Sequence, residues 1–174
     1  IIFCNNISEK LGLDKCYKLN SISEKIKIDN SKNGFRLPND DEWQYACRGN
    51  SKGYWYGNIE DIAWFEENSD GRLHEVRTKK ENNFGLFDMI GNVWEWCSHP
   101  RGIVLPLVEE RISLDSIKPS GEFAIRGGSF LCHWSYCNRY RVAARTGAFV
   151  TSTTSHMGFR CVRFEEESYV RSNL

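Results

Sequence analysis

An excess of charge of either sign is the first thing this sequence lacks: Lys plus Arg number 23 and Asp plus Glu number 23, a formal net charge of +0. That balance excludes the basic field a nucleic-acid binder needs and leaves no acidic excess. Long apolar runs are missing too, since none approaches the ~18–20 residues of a membrane-spanning helix. The expectation is a chain with neither nucleic-acid nor membrane partners. A starting methionine is absent, and the residues from Ile1 read as the middle of a helix. The natural N-terminus is therefore expected upstream, and any targeting signal with it. Seven cysteines cannot all pair within one chain. No CxxC…CxxC or HxxxH spacing supports a tetrahedral zinc site, although His133 and His156 are available as nitrogen donors.

What is present suits one domain, since 174 residues can bury a core. Aromatics at 13%, with six Trp, suit a loop-rich fold pinned by large rings. Ile2, Phe3, Ile7 and Leu11 fall near helical spacing, with Gly12 as the residue past the end. The stretch Cys16–Asn33 contains the alternating run KIKID and ends at Asn33-Gly34, which reads as an edge hairpin. Asn39 after Pro38, with Glu42 three residues on, predicts a capped helix with Trp43, Ala46 and Cys47 on one face and Gly49 at its end.

Tyr54, Trp55, Tyr56 and Trp64 lie in an irregular stretch, where core packing is commoner than stacking on sugars or peptides. Arg77–Glu81 reads as a solvated turn, and His99–Gly121, with Pro100, Pro106 and Pro119, as a long surface loop. In Asp88–Glu95 a glycine turn stands between two carboxylates. Such a turn suits either Ca2+, which takes six to eight oxygens, or a buried carboxylate satisfied by backbone N–H groups. Phe159–Phe164 alternates as a final strand, and the residues from 166 onward read as an acidic tail.

The most informative stretch is Ile125–Arg145, IRGGSFLCHWSYCNRYRVAAR. Gly127-Gly128-Ser129 permits a turn and a close backbone approach. Cys132 and Cys137 follow, with His133, Trp134 and Tyr136 between them. Arg139, Arg141 and Arg145 alternate with Tyr140, Val142 and Ala144, which predicts a half-buried strand. Thiolates are soft ligands, and among their usual metals only Cu(I) is content with two or three. On spacing alone, a metal pair, a local disulfide and two inert buried residues all remain open.

GGSFLCHWSYCNRYRVAAR, together with GFRC at Gly158–Cys161, closely resembles the catalytic segment of the formylglycine-generating enzymes, or sulfatase-modifying factors. FRLPNDDEWQYACRG (Phe35–Gly49) and FGLFDMIGNVWEW (Phe84–Trp96) match the same family in the same order. The resemblance implies an α+β fold of the C-type lectin-like kind, loop-rich with short twisted sheets, over residues 1–165. It implies an oxidase that uses dioxygen and Cu(I) to convert a cysteine in a Cys-x-Pro-x-Arg segment of a sulfatase polypeptide to Cα-formylglycine. Cys132 and Cys137 would be the copper ligands and Ser129 and His133 polar groups beside the reacting centre, with Trp94 walling the chamber. A structural Ca2+ would take Asp88, Gly91, Val93 and Glu95, with Asn92 holding the turn.

In secreted members, cysteines at the positions of Cys4 and Cys161 are joined, and a second bridge links the positions of Cys47 and Val142. Valine excludes that second bridge here, and Cys16 and Cys97 have no counterpart in the pattern. A reducing, cytoplasmic compartment is the expectation. The family's usual asparagine is His156 in this chain, and the loop before it reads TGAFVTSTTS. Since function is grafted onto folds, a non-catalytic peptide- or carbohydrate-binding module on the same scaffold is the alternative. An iron-dependent sulfoxide synthase would need metal histidines from a preceding domain.

Overall fold

The structure, a computed structural model of the chain, describes residues 1–19, 26–101, 121–137 and 139–164. They form two compact units. One takes in residues 1–37 and those described from Cys161 onward; the other takes in residues 38–101 and 121–160. The expected surface loop falls largely outside the described residues, and the acidic tail wholly so. No helix among the described residues is long and apolar enough to cross a membrane.

The smaller unit opens with helix α1, Ile2–Lys10. Gly12, at φ +68°, ends it. The N–H groups of Gly12 and Leu13 return to the carbonyls of Glu9 and Ser8 at 3.1 and 2.8 Å, the double closure typical of a glycine-ended helix. The helix stands where its apolar spacing predicts, but Ile2, Phe3 and Leu11 are exposed and the buried face is Cys4, Asn5 and Ser8. Hydrogen bonds explain this choice. Asn5 pairs with both backbone groups of Tyr17, and the Ser8 hydroxyl accepts from Phe35 N–H while donating to the Cys4 carbonyl. The expected hairpin is β1, Tyr17–Leu19, antiparallel to β2, Ile26–Ile28. Cys4, Cys16 and Tyr17 form the local core with Ile28, Phe35, Leu37 and Cys161.

The larger unit is built on a four-stranded sheet in the order β5-β4-β3-β6. Its strands are β3 (Trp94–Pro100), β4 (Glu122–Arg126), β5 (Thr146–Phe149) and β6 (Met157–Gly158). The pairs β3/β4 and β4/β5 are antiparallel, whereas β6 runs parallel to β3. Helix α2, Asp40–Arg48, packs against β3. Asn39 and Glu42 form the expected capping box, with Asn39 Oδ1 accepting from Glu42 N–H at 2.7 Å and Glu42 Oε2 from Asn39 N–H at 2.8 Å. Trp43 and Cys47 are buried in a core that also holds Phe65, Met89, Ile90, Trp94, Cys97, Ile125 and Cys132. Trp55 and Tyr56 pack against it while Tyr54 stays exposed, so the aromatic stretch divides between packing and surface.

Two expected strands differ. Residues 139–145 bury Tyr140, Val142 and Ala144 in alternation as predicted, yet they join no ladder. Val142 N–H donates to the Tyr54 carbonyl, Ala144 N–H turns back to Arg141, and the Ala144 carbonyl accepts from the Arg126 guanidinium. These groups find their partners in a loop carbonyl, a turn and a side chain, not in a neighbouring strand. Arg126 and Arg145 also converge on the buried carboxylate of Asp40 at 2.6 and 2.8 Å, fastening this segment to α2. The final strand comes earlier and is shorter than its alternation predicts, at Met157–Gly158; beyond it lies a single bridge from Val162 to Arg36.

Candidate functional site

Strand β4 delivers the thiol loop. Past Arg126, Gly127 and Gly128 take φ +90° and +79°. A Cβ on Gly128 would meet Tyr140 Cβ at 3.0 Å and its Cα at 3.1 Å, so the left-handed turn and the close approach both need glycine. Ser129 begins a tight turn, its carbonyl accepting from Cys132 N–H at 2.9 Å and its hydroxyl from Leu131 N–H at 3.3 Å. A second turn closes with Cys137 N–H on the His133 carbonyl at 2.8 Å. These turns bring the Cys132 and Cys137 sulfurs to 2.7 Å, both as free thiols.

Their environments differ. Cys132 is 2% exposed and Cys137 is half-buried. The hydrogen bond from Cys132 lowers the Cys137 thiol to about 7 against burial, with help from the Arg139 guanidinium. The same bond, together with burial, pushes Cys132 up. Cys137, the less buried sulfur and the one beside Arg139, is thus the more acidic of the two. Ser129 N–H points at Cys132 Sγ from 3.4 Å, and its hydroxyl lies 3.9 Å from that sulfur.

Around the pair, His133 Nδ1 lies 2.6 Å from Ser135 Oγ, and its ring stacks on Tyr136 at 5.4 Å and tilts against Trp134 at 5.5 Å. Trp134 and Tyr136 are 62% and 72% exposed, forming an open aromatic surface within the loop between the thiols. Glu66 and Glu67, in a 3-10 turn, face His133 Nε2 at 4.0 and 3.8 Å; Glu66 N–H also donates to the Cys132 carbonyl at 3.2 Å. Trp94 shares the buried core with Cys132 and Tyr140. His156 meets Phe130 edge-on at 6.5 Å, and its carbonyl accepts from Trp94 N–H at 2.9 Å. Sequence reasoning missed the two glutamates, since no local pattern signals an approach made across the fold.

Ser129, Cys132, Cys137 and His133 therefore gather at one loop, and Trp94 belongs to the same buried core as Cys132. The second constellation adjoins the thiol segment through its backbone, Gly91 N–H donating to the Gly127 carbonyl and the Asn92 carbonyl accepting from Phe130 N–H, each at 2.9 Å. Gly91, at φ +77°, would clash with the Trp64 carbonyl at 2.3 Å if it bore a Cβ. The Asn92 side chain clamps both backbone groups of His74 at 3.1 Å. Asp88 Oδ2 accepts from Arg77 N–H at 2.7 Å, and desolvation raises the Asp88 carboxyl. Glu95 is buried with Arg160 bonded to both its oxygens and Trp43 Nε1 to one. A carboxylate whose two oxygens are already paired with Arg160 and Trp43 fits a calcium ligand poorly. The two adjacent thiols, by contrast, suit Cu(I) in donor chemistry and in number.

A short mixed sheet crossed by one capped helix, with a glycine turn presenting two thiols, defines an α+β module of the C-type lectin-like, formylglycine-generating enzyme kind. Residues 1–164 match the family described as "Sulfatase-modifying factor enzyme 1-like domain", and the chain belongs to that family. It is 37% identical over 150 residues to a formylglycine-generating enzyme of Streptomyces coelicolor, covering 74% of this chain and 46% of that protein. To the formylglycine-generating enzyme of Mus musculus it is 37% identical over 145 residues, covering 74% and 39%. Among solved structures it is similar to Treponema denticola variable protein 1, with a TM-score of 0.77 and 31% identity, covering 91% of this chain and 66% of that one. The chain spans about half the length, or less, of these curated relatives.

Proposed function

We propose that this chain carries the thiol site of a copper-dependent oxidase that converts a cysteine in a Cys-x-Pro-x-Arg segment of a sulfatase to Cα-formylglycine, with dioxygen as oxidant. The observation that carries the reading is the pair of sulfurs 2.7 Å apart beside an exposed aromatic surface. Relatives bearing the formylglycine-generating name support it. Cys132 and Cys137 would hold Cu(I), which when bound supplies one-electron chemistry toward dioxygen and a place for the substrate thiolate.

The chain's own residues have separate tasks. Cys137, lowered to about 7, has a ligand-ready sulfur near neutral pH. Ser129 aims its N–H at the Cys132 sulfur and fixes its position. His133 Nε2 faces Glu66 and Glu67, and would take or return a proton beside the thiol pair. Trp94 keeps water from the buried side, and the exposed rings of Trp134 and Tyr136 offer the peptide a surface. A reducing, cytoplasmic setting is where free thiols in this number persist.

The test is an anaerobic Cu(I) titration of the reduced chain beside Cys132→Ser and Cys137→Ser. One-to-one binding that either substitution abolishes is expected. Binding indifferent to both would overturn the copper assignment and leave a peptide- or carbohydrate-binding module as the better account.

A further inference from the structure

We infer that the Asp88–Glu95 turn of this chain is held together by the Arg160 guanidinium, and that the turn takes up no divalent cation. Arg160 Nε donates to Glu95 Oε2 at 2.6 Å and Nη2 to Oε1 at 2.7 Å, a two-pronged ion pair. Trp43 Nε1 adds a third donor to Oε2, also at 2.6 Å. Nη2 reaches on to the carbonyls of Phe87 and Asp88 at 3.1 and 3.3 Å. One planar cation thus ties the carboxylate that ends the turn to the carbonyls that begin it, which is what an oxygen-ligated ion would do.

A calcium ion at Glu95 has two routes in, and both are unfavourable. It could displace Arg160, stranding a guanidinium whose side chain is 23% exposed away from its partner. Or it could sit beside that guanidinium, with like charges a few ångströms apart. Without Glu95 the protein's share shrinks to Asp88 and a few carbonyls, leaving water to supply much of the six to eight oxygens Ca2+ takes and binding correspondingly weak. Nor does the turn need an ion to keep its shape. Gly91 N–H donates to the Gly127 carbonyl at 2.9 Å and Asn92 N–H to the Trp64 carbonyl at 2.7 Å, while the Asn92 side chain holds His74. Arg160 lies 65 residues from Glu95 in sequence, so their pairing is visible only in the fold.

Terbium luminescence tests this without recourse to activity or to the thiols. Trp43, bonded to the Glu95 carboxylate, would sensitise a lanthanide bound there. The expected result is no sensitised Tb3+ emission that Ca2+ displaces, together with melting temperatures in millimolar CaCl2 and in EGTA that agree within ~1 °C. Emission that Ca2+ displaces and that Asp88→Asn or Glu95→Gln abolishes would overturn the inference, as would a calcium-dependent rise in melting temperature lost in Asp88→Asn. Emission that survives both substitutions comes from an ion held elsewhere and agrees with it. Should Glu95→Gln fail to fold, the wild-type chain and Asp88→Asn decide the matter.

Discussion

Cys132 and Cys137 lie five residues apart with their sulfurs at 2.7 Å, whereas Cys4 and Cys161 lie 157 apart with theirs at 3.6 Å. Their proton chemistry is alike. In each pair one thiol donates to the other, lowering the acceptor (Cys137 or Cys4) to about 7 while its own pKa rises. Their surroundings are not alike. Cys4 and Cys161 belong to an apolar cluster with Ile1, Ile28, Phe35 and Leu37, and they fasten helix α1 to the segment beyond β6. Cys132 and Cys137 sit on a glycine turn among exposed rings, with two carboxylates facing His133. An acidic thiol therefore does not mark the site by itself. What marks it is the neighbourhood, with exposed rings and His133 beside the thiols, and a backbone built to bring both sulfurs to one point.

Copper separates the two pairs most sharply. Cys132→Ser should weaken Cu(I) binding by more than ~100-fold, since even outer-shell changes at metal sites cost 10–100-fold. Cys4→Ser should leave it unchanged in the same anaerobic competition titration; an equal loss in both would erase the distinction.

Alkylation against pH sharpens it next. Iodoacetamide labelling of Cys137 should have its midpoint at about 7, moving back toward 9.0 in Cys132→Ala, which removes the donor, as followed by mass spectrometry of the labelled peptide. Because the folded value is lowered, the stability it contributes is fully present above 9.0 and is lost as pH falls through about 7. A midpoint unmoved by Cys132→Ala would show that the sulfur contact does not set the acidity.

Two glycines compare the units through the backbone. Gly128→Ala brings a Cβ within 3.0 Å of Tyr140 at φ +79° and should cost about 2 kcal/mol in urea unfolding. Gly12→Ala, at φ +68° with nothing within 4 Å, should cost only about 1 kcal/mol. The smallest effect is expected at the scaffold. Asn39→Ala should remove about 1 kcal/mol and a few degrees of melting temperature, with the copper titration unaltered.

Much of this was legible because it is local. The capping box at Asn39 and Glu42 depends on residues three apart, and the helix ends at Gly49 as read. The thiol loop was legible as well, since Gly128, Ser129, Cys132 and Cys137 are near neighbours whose turn chemistry sets the geometry. The alternation of Tyr140, Val142 and Ala144 reported burial correctly and pairing wrongly. Burial follows side-chain character, whereas a ladder needs a partner strand, and here the Arg126 guanidinium and Tyr54 carbonyl take those groups. In α1 the apolar spacing found the helix but not its buried face, because Asn5 and Ser8 gain more from specific hydrogen bonds to Tyr17 and Phe35 than they lose on burial.

The sequence by itself determined the family, the capped helix, the glycine turns and the spacing of the thiols, all of which act over a few residues. Tertiary structure alone decided that Glu66 and Glu67 face His133, that Asp40 gathers Arg126 and Arg145, and that Arg160 occupies Glu95. The physical reason is range. Turn and cap energies are written into adjacent residues, but a charge buried in a core takes whichever partner the fold brings to it.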